Sequence, residues 1–339
     1  MNERVYKWDW LKLVLIFLVV VGHLFDRTAT PSVALQRVDY WIYLFHMPAF
    51  IFVSGLFAKR NIQLRRFDKI FTLLIYYFIT KIMVFLIQYG VHYPTVPKFS
   101  LLSESGVPWY LLAMFWFELI AIAFDRFDHR FMLGFFIVIA CVAPYDRQLG
   151  DVLVVARTLG FMPFFYLGYM IDPVSLAEWL QALWKRLAGG ILLVLAFVGI
   201  CAVFPHLWST WGLLTSRSSY AKMGQVYLHY GPLLRLIVGV GSMTLVTAIA
   251  AIVPSKKGRL ACLGAKTLQI YVFHMLIIWM LTDWLHLDRI IGGIISSQIA
   301  SDILIGVIVI GVCASKPISW MTKCCFPKPK RELAGIESK

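Results

Sequence analysis

The sequence predicts an all-α, polytopic integral membrane protein with about ten transmembrane helices and both termini in the cytoplasm. Three observations predict it. Of the 339 residues, 60% are hydrophobic and 15% are charged, where a soluble protein carries about 25% charged residues. So few polar side chains cannot cover a soluble domain, which excludes soluble enzymes and disordered scaffolds. The apolar residues also gather into ten runs of roughly the length that crosses a bilayer core. Finally, the basic residues crowd into alternate loops between those runs.

The first run, 9–26, carries Lys12 and His23 and has no small-residue cleavage site after it, so it reads as a retained helix rather than a leader. The second, 41–57, contains Pro48, which predicts a kink or a break. Runs 70–89 and 108–124 follow. The fifth, 131–144, is short and ends at Pro144. Runs 153–170, 188–204, 232–253, 267–285 and 297–315 complete the set. No heptad pattern and no repeat with a period of 20–50 residues shows. The reading is one transmembrane domain over 1–320 and a basic cytoplasmic tail over 321–339.

The chain has 32 Lys+Arg against 18 Asp+Glu, a net charge of +14. Of the basic residues, 22 fall in segments 1–12, 58–69, 125–130, 171–188, 254–266 and 316–339, and 7 fall in the alternate loops. That asymmetry puts both ends inside. Most of the excess charge is therefore orientation, and nucleic acid is not an expected partner. Six cysteines, at 141, 201, 262, 313, 324 and 325, show neither metal-ligand spacing nor a disulfide framework. No metal is expected.

Polar groups within apolar runs are costly and mark candidate sites. They are His23, His46, His274, Lys81, Glu118, Arg157 and Arg235. The first helix is the most informative. Lys12 and His23 are eleven residues apart, which leaves them about 20° apart around a helix and about 16 Å apart along it. Asp9 can pair with Lys12, and Asp26, three residues past His23, can orient the imidazole. One helix face thus carries a cation near the cytoplasm and a base deep inside. A long ligand with an anionic head could span the two, and coenzyme A has that form. Imidazole is suited to take a proton from a hydroxyl nucleophile. The competing reading is that Lys12 is an ordinary snorkelling anchor.

Loop 58–69 holds Lys59, Arg60, Arg65, Arg66 and Lys69. Forked guanidinium donors suit phosphate, although topology or anionic lipid heads would also account for the cluster. His46 and His274 could line a shared cavity or satisfy the core. Trp109 and Tyr110 could stack on a sugar face or sit at the membrane interface.

Several of these residues resemble the acyltransferase-3 membrane family, most closely its fucose 4-O-acetylase-like branch. Lys12 and His23 are similar to that family's basic residue, ten-residue gap and histidine, with Lys here where Arg is usual. Segment 45–55, with His46, Met47, Pro48 and Gly55, resembles its second-helix signature. Arg66-Phe67-Asp68-Lys69 resembles its basic loop, with Tyr76-Tyr77 where the family has Pro-Tyr. Pro108-Trp109-Tyr110 and the stretch from Leu268 to His274 resemble two later elements.

The resemblance implies a bacterial plasma-membrane O-acetyltransferase that uses acetyl-CoA as donor. It implies a carbohydrate acceptor, such as an exopolysaccharide, capsule, lipopolysaccharide or peptidoglycan sugar. His23 and Asp26 are then the catalytic candidates. Lys12, Arg65, Arg66 and Lys69 are the donor-binding candidates, and His46, Trp109, Tyr110, Glu118 and His274 the substrate or cavity candidates. Membrane lipid is an expected partner, and homo-oligomers are left open. The alternative is a sugar or lipid transporter or flippase, for which Lys81, Glu118, Arg157 and Arg235 would form a path.

Overall fold

Out of water, a backbone must satisfy its own N–H and C=O groups, and an apolar run does so by forming a helix. The computed structural model describes residues 4–28, 31–91, 93–97, 99–104, 106–204 and 206–326. In chain order the helices are α1 (Tyr6–Phe25), α2 (Val33–Gln63), α3 (Phe67–Val91), α4 (Trp109–Phe124), α5 (His129–Val142) and α6 (Val155–Met170). Then come α7 (Pro173–Trp179), α8 (Leu183–Val203), α9 (Trp211–Thr215), α10 (Tyr220–Met223) and α11 (Gln225–Ile252). The last are α12 (Ala261–Gly264), α13 (Thr267–Trp279), α14 (Leu287–Ile294), α15 (Gln298–Cys313) and α16 (Lys316–Cys325). The described residues form no strand, only a single bridge between Ser103 and Val152.

Polar residues start several helices. Ser32 accepts from the Leu35 amide at 3.2 Å before α2, and Asp128 from that of Phe131 at 2.8 Å before α5. Asp172 accepts from the Ser175 amide at 2.7 Å, with Pro173 beside it at the start of α7. Such caps satisfy otherwise orphaned amides. The bond from Ser175 also holds the Asp172 carboxyl below the usual carboxylate range.

Five helices are long and apolar enough to cross a membrane: α1, α2, α3, α8 and α11. There are seven if α13 with α14, bent by 70°, and α15 with α16, bent by 58°, each count as one span. α4 and α5 are shorter apolar helices. All ten apolar runs fall on helices, so the chain is an all-helical membrane protein.

The core is built around α1, which packs against α2, α12, α13 and α15. Leu11, Leu15 and Ile16 are fully buried there. α8 packs on α11 at the edge of the core and leaves Leu187, Ile191, Val194 and Val198 exposed. Their three- and four-residue spacing makes one apolar stripe, which faces lipid in a membrane. α2 meets α6 closely through two glycines. A Cβ at Gly55 would strike the Phe165 carbonyl, and one at Gly168 would strike that of Phe52. Small residues let helix backbones approach in this way.

Pro48 does not break α2, since the helix runs 31 residues through it. Proline has no N–H, so the Leu44 carbonyl loses its intrahelical partner, and the Ser242 hydroxyl of α11 donates to it at 2.5 Å. Pro232 in α11 is handled alike, with the Tyr145 hydroxyl donating to the Leu228 carbonyl at 3.1 Å. The expected tail from 321 is helical at its start, because α16 continues to Cys325 and the buried Phe326 packs on Tyr76 and Phe273. Residues 327–339 lie outside the described residues.

Candidate active site

Two cavities meet inside the bundle. The first, of about 300 Å³, is lined by Lys12, Ser54, Phe57, Tyr110, Gly264 and Thr267, among others. The second, of about 430 Å³, is lined by His23, Asp26, Tyr43, His46, Trp109, Arg157, Trp211 and Arg217, among others. Val19, Met47 and Tyr271 line both. Lys12, Val19 and His23 are seven and four residues apart on α1, so one helix face runs from the first cavity past this waist into the second. The predicted alignment of Lys12 with His23 thus puts one residue in each cavity along a single face of α1.

His23 sits in the last turn of α1, just before Asp26 closes the helix. Its Nδ1 is 3.5 Å from Asp26 Oδ2, and the Tyr43 hydroxyl of α2 donates to that same oxygen at 2.6 Å. An Nδ1–H held toward a carboxylate leaves Nε2 with the lone pair. The His274 ring stacks on that of His23, with centroids 5.4 Å apart. His274 Nδ1 donates to the Tyr271 carbonyl at 2.6 Å, and its buried Nε2 has no hydrogen-bond partner. His46 Nδ1 donates to the Ile42 carbonyl at 2.9 Å, and its ring meets Tyr43 edge-on at 4.7 Å. All three imidazoles thus have their basic Nε2 away from the backbone.

At the other end of α1, Lys12 is 3.2 Å from Asp9 and lies 5.2 Å from the Phe57 ring centroid. Arg4 also binds Asp9, at 2.6 Å. α1 is anchored at this end by Lys7, which donates to the Val253 carbonyl at 3.1 Å. The contact caps the carbonyl end of α11 with a cation, as the helix dipole favours.

Not every candidate lines a cavity. Arg65, Arg66, Lys69 and Glu118 line neither. The Arg66 fork is engaged by Asp68, with two bonds of 2.9 Å. Glu118 is buried on α4. His274 is buried behind His23 rather than at a cavity wall. Lys81 pairs with Glu104 at 3.0 Å and donates to the Ser103 carbonyl at 2.9 Å, pinning the segment before α4 to α3. This pair ties neighbouring elements together.

Sequence reasoning missed Tyr43, Trp211 and Arg217, and placed Arg157 only as an intramembrane charge. The Arg157 guanidinium lies 4.8 Å from the Trp109 ring centroid and 3.6 Å from Asp151. Arg217 makes a forked contact with the same Asp151, at 3.0 and 2.6 Å. The Trp211 ring lies tilted against that of Tyr43, with centroids 4.4 Å apart. Only Tyr43 left a signal, one turn before His46 on the same helix face. The second cavity thus combines a base, aromatic faces and two guanidinium groups, the chemistry that suits a hydroxylated substrate.

The model of the acyltransferase-3 family, described as an acyltransferase domain, matches residues 5–320. No curated protein and no solved structure matches the chain significantly.

Proposed function

The chain belongs to the acyltransferase-3 family, and on that premise we propose that it is an O-acetyltransferase of a bacterial plasma membrane. It moves an acetyl group from cytoplasmic acetyl-CoA to a hydroxyl of a cell-surface carbohydrate or glycolipid precursor. The proposed frame has ten membrane passes and cytoplasmic termini, and the nearest activity is that of the fucose 4-O-acetylase-like branch. One observation carries the reading: the Lys12 cavity and the His23 cavity meet at Val19, Met47 and Tyr271. A flexible thioester arm entering beside Lys12 has a path of about 16 Å to His23.

In the proposed step, His23 Nε2 takes the proton of the acceptor hydroxyl. The hydroxyl oxygen forms a bond to the thioester carbonyl carbon, and the carbon–sulfur bond breaks. Coenzyme A leaves as a thiolate, which takes up a proton, and the sugar keeps the acetyl ester. Asp26 holds the imidazole and stabilises it once protonated. Lys12 contacts the donor, and Arg65, Arg66 and Lys69 meet its phosphates beyond the cavity mouth. That basic corner begins about 9 Å past Phe57 along α2. Trp109, His46, His274, Arg157 and Arg217 shape the acceptor side, and Tyr110 lines the donor cavity. No metal takes part in the scheme.

Purified protein in liposomes with labelled acetyl-CoA and a cell-envelope carbohydrate fraction tests the reading. His23→Ala is expected to lower label transfer by about 10²- to 10⁴-fold with an unchanged melting temperature. Transfer that survives the substitution overturns the role of His23. Absence of thioester consumption by the unaltered protein with every acceptor fraction overturns the enzyme reading itself.

A further inference from the structure

Arg235 differs from Lys81 and Arg157, the two other cations that the sequence sets well inside apolar runs. Lys81 has Glu104 and Arg157 has Asp151. The buried Arg235 of α11 meets only neutral oxygens among the described residues. Its Nη2 donates to Ser216 Oγ at 2.6 Å, and its Nη1 reaches the Leu213 carbonyl at 3.5 Å. A guanidinium has five N–H donors and a permanent charge. Burying it in a membrane protein without a counter-ion is costly, so the site asks for an anion.

A groove of about 220 Å³ between α2, α5, α6 and α11 supplies the space. Its two ends differ. Arg235, Ser216 and Gly160 stand at one end, and a Cβ at Gly160 would collide with the guanidinium. The remaining wall is apolar, formed by Leu133, Ile137, Phe164, Leu167, Leu236 and Val240. Leu236 is 44% and Val240 61% exposed, so the groove opens toward the bilayer. From Arg235 to Met243 it follows α11 for about 12 Å.

The basic-loop asymmetry sets the start of α11 at the outer side of the membrane. Tyr230, 61% exposed, fits the interfacial aromatic belt there. Arg235 then lies about 8 Å further in, with the apolar groove running on toward the bilayer centre. A cation just inside the interfacial belt, at the head of an apolar slot, has the polarity of one outer-leaflet lipid whose phosphate is drawn inward.

We propose that this groove binds an anionic glycerophospholipid of the outer leaflet. Its phosphate meets Arg235 and Ser216, and one acyl chain lies along α5, α6 and α11. A polyprenyl chain is several times longer than the groove. The site shares only Phe161 and Leu214 with the His23 cavity, and it stands independently of the acyl-transfer reading.

Native mass spectrometry of the full chain tests this with three added lipids: phosphatidylglycerol, diacylglycerol with the same acyl chains, and undecaprenyl phosphate. Phosphatidylglycerol is expected to remain bound to the unaltered protein, about tenfold more weakly to Arg235→Met, and diacylglycerol to be lost. Should Arg235→Met fail to fold, Val240→Trp fills the groove with Arg235 intact and is expected to expel phosphatidylglycerol in the same way. Equal retention by either folded variant, or diacylglycerol bound as well as phosphatidylglycerol, overturns the site. Preferential retention of undecaprenyl phosphate overturns its assignment to a glycerophospholipid.

Discussion

His23 is oriented by groups that come from two helices. Asp26 follows it on α1, while Tyr43 reaches the same carboxylate from α2. If His23 is the base, Asp26→Asn removes both the fixed tautomer and the charge that steadies the imidazolium, and kcat is expected to fall by about 10²-fold or more. Tyr43→Phe removes one bond to an ionised acceptor, worth about 1.5–3 kcal/mol, so a smaller, roughly tenfold loss is expected. Steady-state kinetics with saturating acetyl-CoA separates the two, because neither change should move the KM for the donor. Loss confined to donor KM would show that this pair belongs to coenzyme A binding instead. The alignment of Lys12 with His23 was legible because the helical period alone sets it. Tyr43, Trp211 and Arg217 were not legible, since their positions depend on how α2 and the segment after α8 fold back on α1. At Arg66 a local neighbour matters: Asp68, two residues away, engages the fork, so a donor phosphate would share that guanidinium with it.

At the scale of elements, apolar runs located the helices well, whereas the short connecting helices α7, α9, α10 and α12 have no hydropathy signal of their own. Proline is instructive. Its effect depends on whether another element satisfies the freed carbonyl, and Ser242 lies 198 residues beyond Leu44. Ser242→Ala leaves the Leu44 carbonyl buried without that donor, at a cost of about 1–3 kcal/mol. A lower melting temperature in detergent, with donor affinity unchanged in the folded fraction, is the expected result. The α2–α6 contact gives a larger effect. Gly168→Leu forces a branched side chain against the Phe52 carbonyl, and overpacking of this kind costs about 1–3 kcal/mol or more. Since α2 carries Tyr43 and His46 while α6 carries Arg157, separating them should lower both stability and acceptor-side activity. Melting curves together with label transfer check this, and an unchanged melting temperature would mean the helices can part without loss.

For the whole molecule, the question is whether two cavities act as one reaction path. The first cavity contains Lys12 and the second His23, and Val19, Met47 and Tyr271 line both. Hydropathy could place the helices but not this waist, because Val19 and Met47 are ordinary apolar residues whose special position exists only after α1, α2 and α13 pack. Enlarging one waist residue tests the path without touching either end. Val19→Phe narrows the passage while Lys12, the basic corner, His23 and Asp26 remain. If the thioester arm must pass the waist, donor binding by the coenzyme A head is expected to stay within about twofold. Label transfer should fall by about 10²-fold or more, as the carbonyl no longer reaches attack distance. Calorimetric titration with coenzyme A and label transfer in liposomes measure the two sides separately. Loss of both would place the main donor contacts at the waist, and retention of both would mean that the acetyl group reaches His23 by another route.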